Sequence, residues 1–156
     1  MKYTLSVWVE NRPGVLSRVV SLFSRRGYNI DSLVVATAED NSLSRMTITG
    51  QGDNYTLEQV EKQLNKIIPV VKVRSLGPDA TQAELMLIKI NCDTQSFGAV
   101  NEIAGLMKAE VADVSKNTVT LKFAGDPEKC DTLFELLRPF GIKEATRTGL
   151  IALEKG

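Results

Sequence analysis

Apolar and polar positions alternate from Tyr3 to Glu10. Tyr3, Leu5, Val7 and Val9 fall on one side, and Thr4, Ser6, Trp8 and Glu10 on the other. A period of two predicts a strand buried on one face. Asn11-Arg12-Pro13-Gly14 reads as a turn. Val15, Leu16, Val19, Val20, Leu22 and Phe23 then recur at helical spacing up to about Arg26, with Gly27 as the stop. Tyr28–Ala38 returns to strand character, Glu39-Asp40-Asn41 turns the chain, and Ser42–Gly50 pairs back. Thr56-x-x-Gln59 has the form of a capping box, so a second helix is predicted from Thr56, with Leu57, Val60, Leu64 and Ile67 as its apolar stripe. Val70–Leu76 is a fourth strand.

The order then repeats. Gly77-Pro78-Asp79 breaks the pattern, and residues 78–83 read as a linker. Leu85–Cys92 is a strand, and Phe97, Val100, Ala104 and Met107 mark a helix. Val111–Val114 and Val119–Phe123 are strands around Lys116-Asn117. Asp126 caps a helix with Pro127 at its first position and Cys130, Leu133, Phe134 and Leu137 inward. Ile142–Leu153 closes the unit, interrupted near Thr148-Gly149. The expected class is therefore α+β. Two tandem ferredoxin-like βαββαβ modules are expected at 1–77 and 84–156, with antiparallel sheets and helices on one face.

Each such module leaves one sheet face open and buries only about 60% of its unfolded surface, which invites association. Trp8 stands on that nominally polar face. It is either a lone exposed aromatic or a residue covered by another subunit or by the second module.

Composition narrows the chemistry. The chain has 156 residues, no net charge and no histidine, so histidine-based nucleophilic catalysis and histidine-ligated metals fall away. Residues 1–78 carry ten Lys/Arg and seven Asp/Glu (+3), and 79–156 carry nine and twelve (−3). Neither half has the clustered basic surface of a nucleic-acid binder. Cys92 and Cys130 lie in apolar-periodic segments and read as reduced thiols. No apolar run approaches the ~18–20 residues of a membrane span. No signal-peptide pattern opens the chain, and a cytoplasmic location is expected.

The informative stretch is Glu10–Leu16, where a strand end enters a helix. A first helical turn offers free N–H groups and the positive end of the macrodipole, which suits a carboxylate. Gly14 permits close approach, and Asn11 both donates and accepts. A zwitterionic amino acid fits such a loop; so does a plain turn with no ligand. Asn29, at the start of the second strand, is a turn residue or the partner of an Asn11 loop on a second chain. No phosphate-cradling glycine fingerprint, zinc spacing or acid/base pair of carboxylates appears.

The stretch ENRPGVLSRVVSLFSRRGYNIDSLVVATAEDNSLSRMTI, Glu10–Ile48, strongly resembles the N-terminal ACT domain of the regulatory (small) subunits of acetolactate synthase. LRPFGIKEATRTGLIAL is similar to the close of that family's C-terminal domain. The resemblance implies a regulatory chain without catalytic residues. Its partner would be a separate catalytic subunit carrying thiamine diphosphate, magnesium and FAD. That enzyme condenses two pyruvates, or pyruvate with 2-oxobutyrate, in branched-chain amino acid biosynthesis. The resemblance further implies activation of that subunit, and feedback inhibition by valine or another branched-chain amino acid between the ACT domains of a homodimer. Asn11, Gly14, Val15 and Leu16 match the effector loop, and Asn29 and Ile30 match a strand start given by the partner. Val35 and Ala36 are expected to line the side-chain pocket. One departure is Gly98-Ala99-Val100-Asn101-Glu102, where the family often carries an arginine. Rival readings are a freestanding ACT sensor of another enzyme, an RNA-recognition module and an acylphosphatase-like hydrolase. Val34, Met46 and Ile48 replace the aromatics that RNA recognition needs, and Arg12 alone stands in the turn where the hydrolase needs its phosphate-loop arginine.

Overall fold

The computed structural model describes residues 1–156. In order the elements are β1 (Lys2–Glu10), α1 (Val15–Arg26), β2 (Ser32–Thr37), β3 (Leu43–Gln51), α2 (Asn54–Asn65) and β4 (Val70–Leu76). They continue with β5 (Thr81–Asn91), α3 (Phe97–Met107), β6 (Glu110–Val114), β7 (Thr118–Gly125), α4 (Pro127–Leu137), a 3-10 turn at Arg138–Phe140, β8 (Ile142–Arg147) and β9 (Ile151–Leu153). The first sheet runs β2-β3-β1-β4 and the second, five-stranded, runs β6-β7-β5-β8 with β9 also paired to β5. Neighbouring strands are antiparallel in both. This is the expected ferredoxin-like arrangement, twice.

Contacts divide the chain into two units, Met1–Thr81 with Leu150–Gly156, and Gln82–Gly149. By contacts residues 150–156 group with the first unit, while β9 pairs with β5, the strand that the closing segment Ile142–Leu153 was expected to join after its interruption near Thr148-Gly149. Between the modules, residues 77–80 lie outside regular elements and extended structure resumes at Thr81.

Leu5, Val7, Val19, Phe23, Ile48, Val60 and Leu64 form the first core. Met86, Ile88, Ile90, Val100, Leu121, Cys130, Leu133 and Leu137 form the second. Each full-size apolar side chain among them contributes about 1.5–3 kcal/mol through burial. Cys92 and Cys130 are buried free thiols. Burial, and next the charge of Glu84, hold the Cys130 thiol above its usual pKa.

Two helix-related expectations shift. The second helix begins a turn earlier than Thr56. Asp53 caps it by accepting the Thr56 N–H at 2.8 Å, so Thr56 is the third helical residue. Tyr28–Ile30 are not strand. Gly27 is left-handed (φ 70°) and its N–H bonds back to α1, Tyr28 N–H donates to Phe23 O, and ladder contact resumes only with Asp31 N–H to Thr49 O. No helix is long and apolar enough to cross a membrane.

Candidate functional site

The β1–α1 turn is built to leave donors free. Asn11 N–H bonds Ser42 O at 2.8 Å, which ties the turn to the β2–β3 hairpin. Asn11 Nδ2 donates to Asn41 O at 3.1 Å. The side-chain amide that sequence suggested would donate to a ligand is therefore engaged with the hairpin, and Oδ1 remains as an acceptor. The hairpin is itself held by Ser42, whose N–H and hydroxyl both donate to Asp40 Oδ1. The hydroxyl first, then the N–H, lower the Asp40 pKa. Arg12 pairs with Glu10 at 2.7 Å.

Gly14 is the N-cap residue of α1 at φ 86°, ψ −13°, a left-handed conformation that disfavours any residue with a Cβ. It supplies no capping side chain, and no acidic residue lies in the first turn. Arg18 N–H is the first to find an acceptor, Gly14 O at 3.2 Å, so the N–H groups of Val15, Leu16 and Ser17 have none within the chain. Val15 is buried and anchors this end, while Leu16 and Val20, one turn apart, stand exposed beside the buried stripe.

The structure separates the remaining candidates. Asn29 lies at the opposite end of the unit. Its carbonyl accepts from Tyr3 Oη at 3.4 Å, and its Nδ2 donates to Asp31. A Cβ on Gly50 would collide with that carbonyl and the Tyr3 ring, so glycine is required there. Burial, then the charge of Asp31, raise the Tyr3 pKa. Tyr3 and Asn11 are about 25 Å apart along the strand at ~3.3 Å per residue. Asn29 and Ile30 therefore cannot join the Asn11 turn of their own chain.

β2 is the edge strand and runs from the Asn29 end toward the Asn11 end, Ser32 opposite Thr49 and Thr37 opposite Ser44. Val35 pairs with buried Met46 on the helix-covered face and is 39% exposed. Ala36 pairs with Arg45 on the opposite face. Ala36's side chain thus points away from the helix-covered face, on which Val35 lies.

In the second unit the matching β5–α3 turn differs. Asp93 Oδ1 accepts from Gln95 N–H, Ser96 N–H and Ser96 Oγ at 2.9–3.0 Å. The Ser96 N–H, then its hydroxyl, lower the Asp93 pKa. The chain's own carboxylate stands at that helix entrance and repels another. No group of three or more His, Cys, Asp or Glu side chains is placed to hold a metal ion.

Comparison with known proteins bears on both units. A family model described as "AHAS small subunit-like ACT domain" matches residues 5–72. Another, "Small subunit of acetolactate synthase", matches residues 83–156. The chain is 44% identical over 156 residues to a probable acetolactate synthase small subunit of Archaeoglobus fulgidus, covering 100% of this chain and 98% of that one. It is 44% identical over 155 residues to the acetolactate synthase small subunit of Mycolicibacterium smegmatis, covering 99% and 91%. The crystal structure of the small subunit from Thermotoga maritima superposes with a TM-score of 0.95 at 33% identity, covering 100% and 98%.

Proposed function

The chain belongs to the acetolactate synthase small-subunit family, and from that premise we propose that it regulates its catalytic subunit by holding valine, or another branched-chain amino acid, in a seam between two copies of the first unit. As a small subunit it has a large, catalytic partner. In this reading the partner carries thiamine diphosphate, magnesium and FAD and performs the condensation in the cytoplasm. This chain supplies no catalytic group; it activates the partner and relays the effector's inhibition.

The carrying observation is the pairing of three acceptor-less N–H groups, Val15–Ser17, with an Asn29 corner at the far end of an unpaired edge strand. A second copy laid antiparallel along β2 reverses the direction of the strand. Each chain's Asn29 and Ile30 then face the other chain's Asn11–Leu16 turn. The effector carboxylate takes the N–H groups behind Gly14, with the dipole's positive end favouring it. Its ammonium donates to Asn11 Oδ1 and to oxygens of the partner's Asn29 corner. Leu16, Val20 and Val35 are the exposed apolar side chains on hand to read the isopropyl group. One methylene of misfit changes binding by only about 1–3 kcal/mol, so leucine and isoleucine bind more weakly instead of being excluded. Regulation requires that the effector bind the inhibited arrangement more tightly than the active one.

Calorimetric titration of the purified chain with valine, alongside sedimentation, tests this. The expected result is a dimer saturating at one valine per chain, because Asp93 blocks the matching turn of the second unit. With the catalytic subunit added, valine lowers activity. A monomer that binds valine fully, or two valines per chain, overturns the seam.

A further inference from the structure

Asn11 is held twice by one hairpin. Its N–H donates to Ser42 O at 2.8 Å, and its Nδ2 donates to Asn41 O at 3.1 Å. The second module shows which of these bonds the fold itself requires. There the matching residue is Cys92, whose N–H donates to Asn117 O at 2.9 Å. One position earlier, Glu10 N–H donates to Pro69 O and Asn91 N–H to Gly141 O, so the two turns correspond residue for residue. The backbone tie is thus common to both modules, whereas the amide exists only in the first. Cys92 is buried and offers a thiol, which bonds weakly. The hairpin tips differ as well. In the first, Asp40 Oδ1 accepts from Ser42 N–H at 2.9 Å and from Ser42 Oγ at 2.7 Å, and Asp40 O accepts from Leu43 N–H at 2.9 Å. In the second, the Asp113 carboxylate accepts the Ser115 hydroxyl alone, at 3.3 Å.

A side-chain amide has a donating end and an accepting end. A main-chain carbonyl only accepts, so Asn41 O is faced by Nδ2 and repels Oδ1. While the hairpin keeps its shape, Asn11 turns its oxygen away from it and presents an acceptor. An ammonium donates to that acceptor. The keto oxygen of a 2-oxo acid only accepts, and meets it with like polarity. The acceptor-less N–H groups of Val15–Ser17 read the carboxylate, which both kinds of acid carry.

We propose that Asp40 is a positioning residue of the effector site: by bracing the Asn41–Ser42 carbonyls it fixes the Asn11 amide with its oxygen outward, and so makes the site select amino acids over 2-oxo acids of the same carbon skeleton. This rests on the effector reading above and deepens it. In that reading the catalytic partner consumes 2-oxo acids. A site that read the carboxylate alone would answer to substrate instead of end product.

The test titrates the full chain with valine and with valine's own 2-oxo acid, the latter by displacement of valine where its heat is small. The 2-oxo acid is expected to bind at least ~10-fold more weakly, since a hydrogen bond to a charged group is worth that much or more. Asp40→Ala removes both side-chain bonds of the brace and is expected to raise the valine Kd by ~3-fold or more. It should also narrow the gap between the two ligands, because the N–H groups that hold the carboxylate are untouched; a merely structural loss would weaken both alike. Asp40→Asn keeps an oxygen that accepts from Ser42 and is expected to stay within ~2-fold of the unaltered chain. Ser42→Ala, which removes the hydroxyl bond alone, is expected to shift the same way by less and carries the test where Asp40→Ala fails to fold. Equal affinity of the unaltered chain for the two ligands, unchanged valine affinity in Asp40→Ala, or a gap as wide there as in the unaltered chain overturns the proposal. Where the 2-oxo acid displaces no valine from either chain, Asp40→Asn decides: valine binding as weak as in Asp40→Ala overturns the positioning. Absence of valine binding by the unaltered chain overturns the effector reading instead.

Discussion

Gly14→Ala and Gly14→Asp differ by one charged group and so separate backbone strain from electrostatics. Gly14 is left-handed, and a Cβ added there meets nothing within 4 Å. Either variant therefore carries a conformational cost of about 1–2 kcal/mol without a clash. At ~4–8 °C per kcal/mol for a unit of this size, both should melt lower by similar amounts. Only aspartate adds a carboxylate in the open space before the N–H groups of Val15, Leu16 and Ser17. Two carboxylates ~4 Å apart repel by about 1 kcal/mol in water and about 4 kcal/mol near a protein surface. That range is ~5-fold to ~10³-fold in Kd. The assay is calorimetric titration of each full-length variant with valine, beside its melting curve. Alanine should weaken binding modestly, through strain, and aspartate should bind at least ~5-fold more weakly than alanine. Equal affinities would refute the placement of the effector's carboxylate at the start of α1.

Two further predictions concern stability. Glu84 is 7% exposed and grips Arg147 through two bonds of 2.8 and 2.9 Å. Glu84→Ala leaves Arg147 the exposed Asp131 and a long bond to the Pro127 carbonyl and should destabilise the second unit by about 3 kcal/mol in urea denaturation; a loss under ~1 kcal/mol would place the pair among ordinary surface ion pairs. The carboxyls of Asp40, Asp53, Asp93 and Glu135 all titrate below their usual values, because each accepts hydrogen bonds when ionised. A folded pKa below the unfolded one stabilises the fold above the ordinary carboxylate pKa, and that contribution is lost as pH falls through the lowered folded values. The melting temperature should therefore drop as pH falls below ~4, less steeply in Asp53→Asn, and a flat acid limb would contradict the capping bonds.

Sequence disclosed whatever was local. The alternation of β1, the stripe of α1, the Gly27 stop, and Asp126 with Pro127 at α4 all reappear in the structure, since each depends on neighbours within a turn or two. The start of α2 was misread because Thr56 and Asp53 both suit a cap, and the register of the helix decides between them. Asn29 and Ile30 looked like strand because Tyr28–Ala38 is rich in Val and Ile, whereas the left-handed exit at Gly27 uses those residues to turn. Of the site, the free helix start was legible from Gly14. The engagement of Asn11 with Asn41 was not, because it spans thirty positions. Nor was the opposite facing of Val35 and Ala36, which needs the pairing with Met46 and Arg45. Nor were the cations over Trp8, since Arg45, Lys72 and Arg74 reach its ring from neighbouring strands.

The ~25 Å between the Asn11 turn and the Asn29 corner has a genetic corollary. Two chains crippled at different ends would heal each other when mixed. In the proposed dimer one of the seam's two sites would inherit both lesions and the other neither, so a population of hybrids would regain half its response from parents that have none.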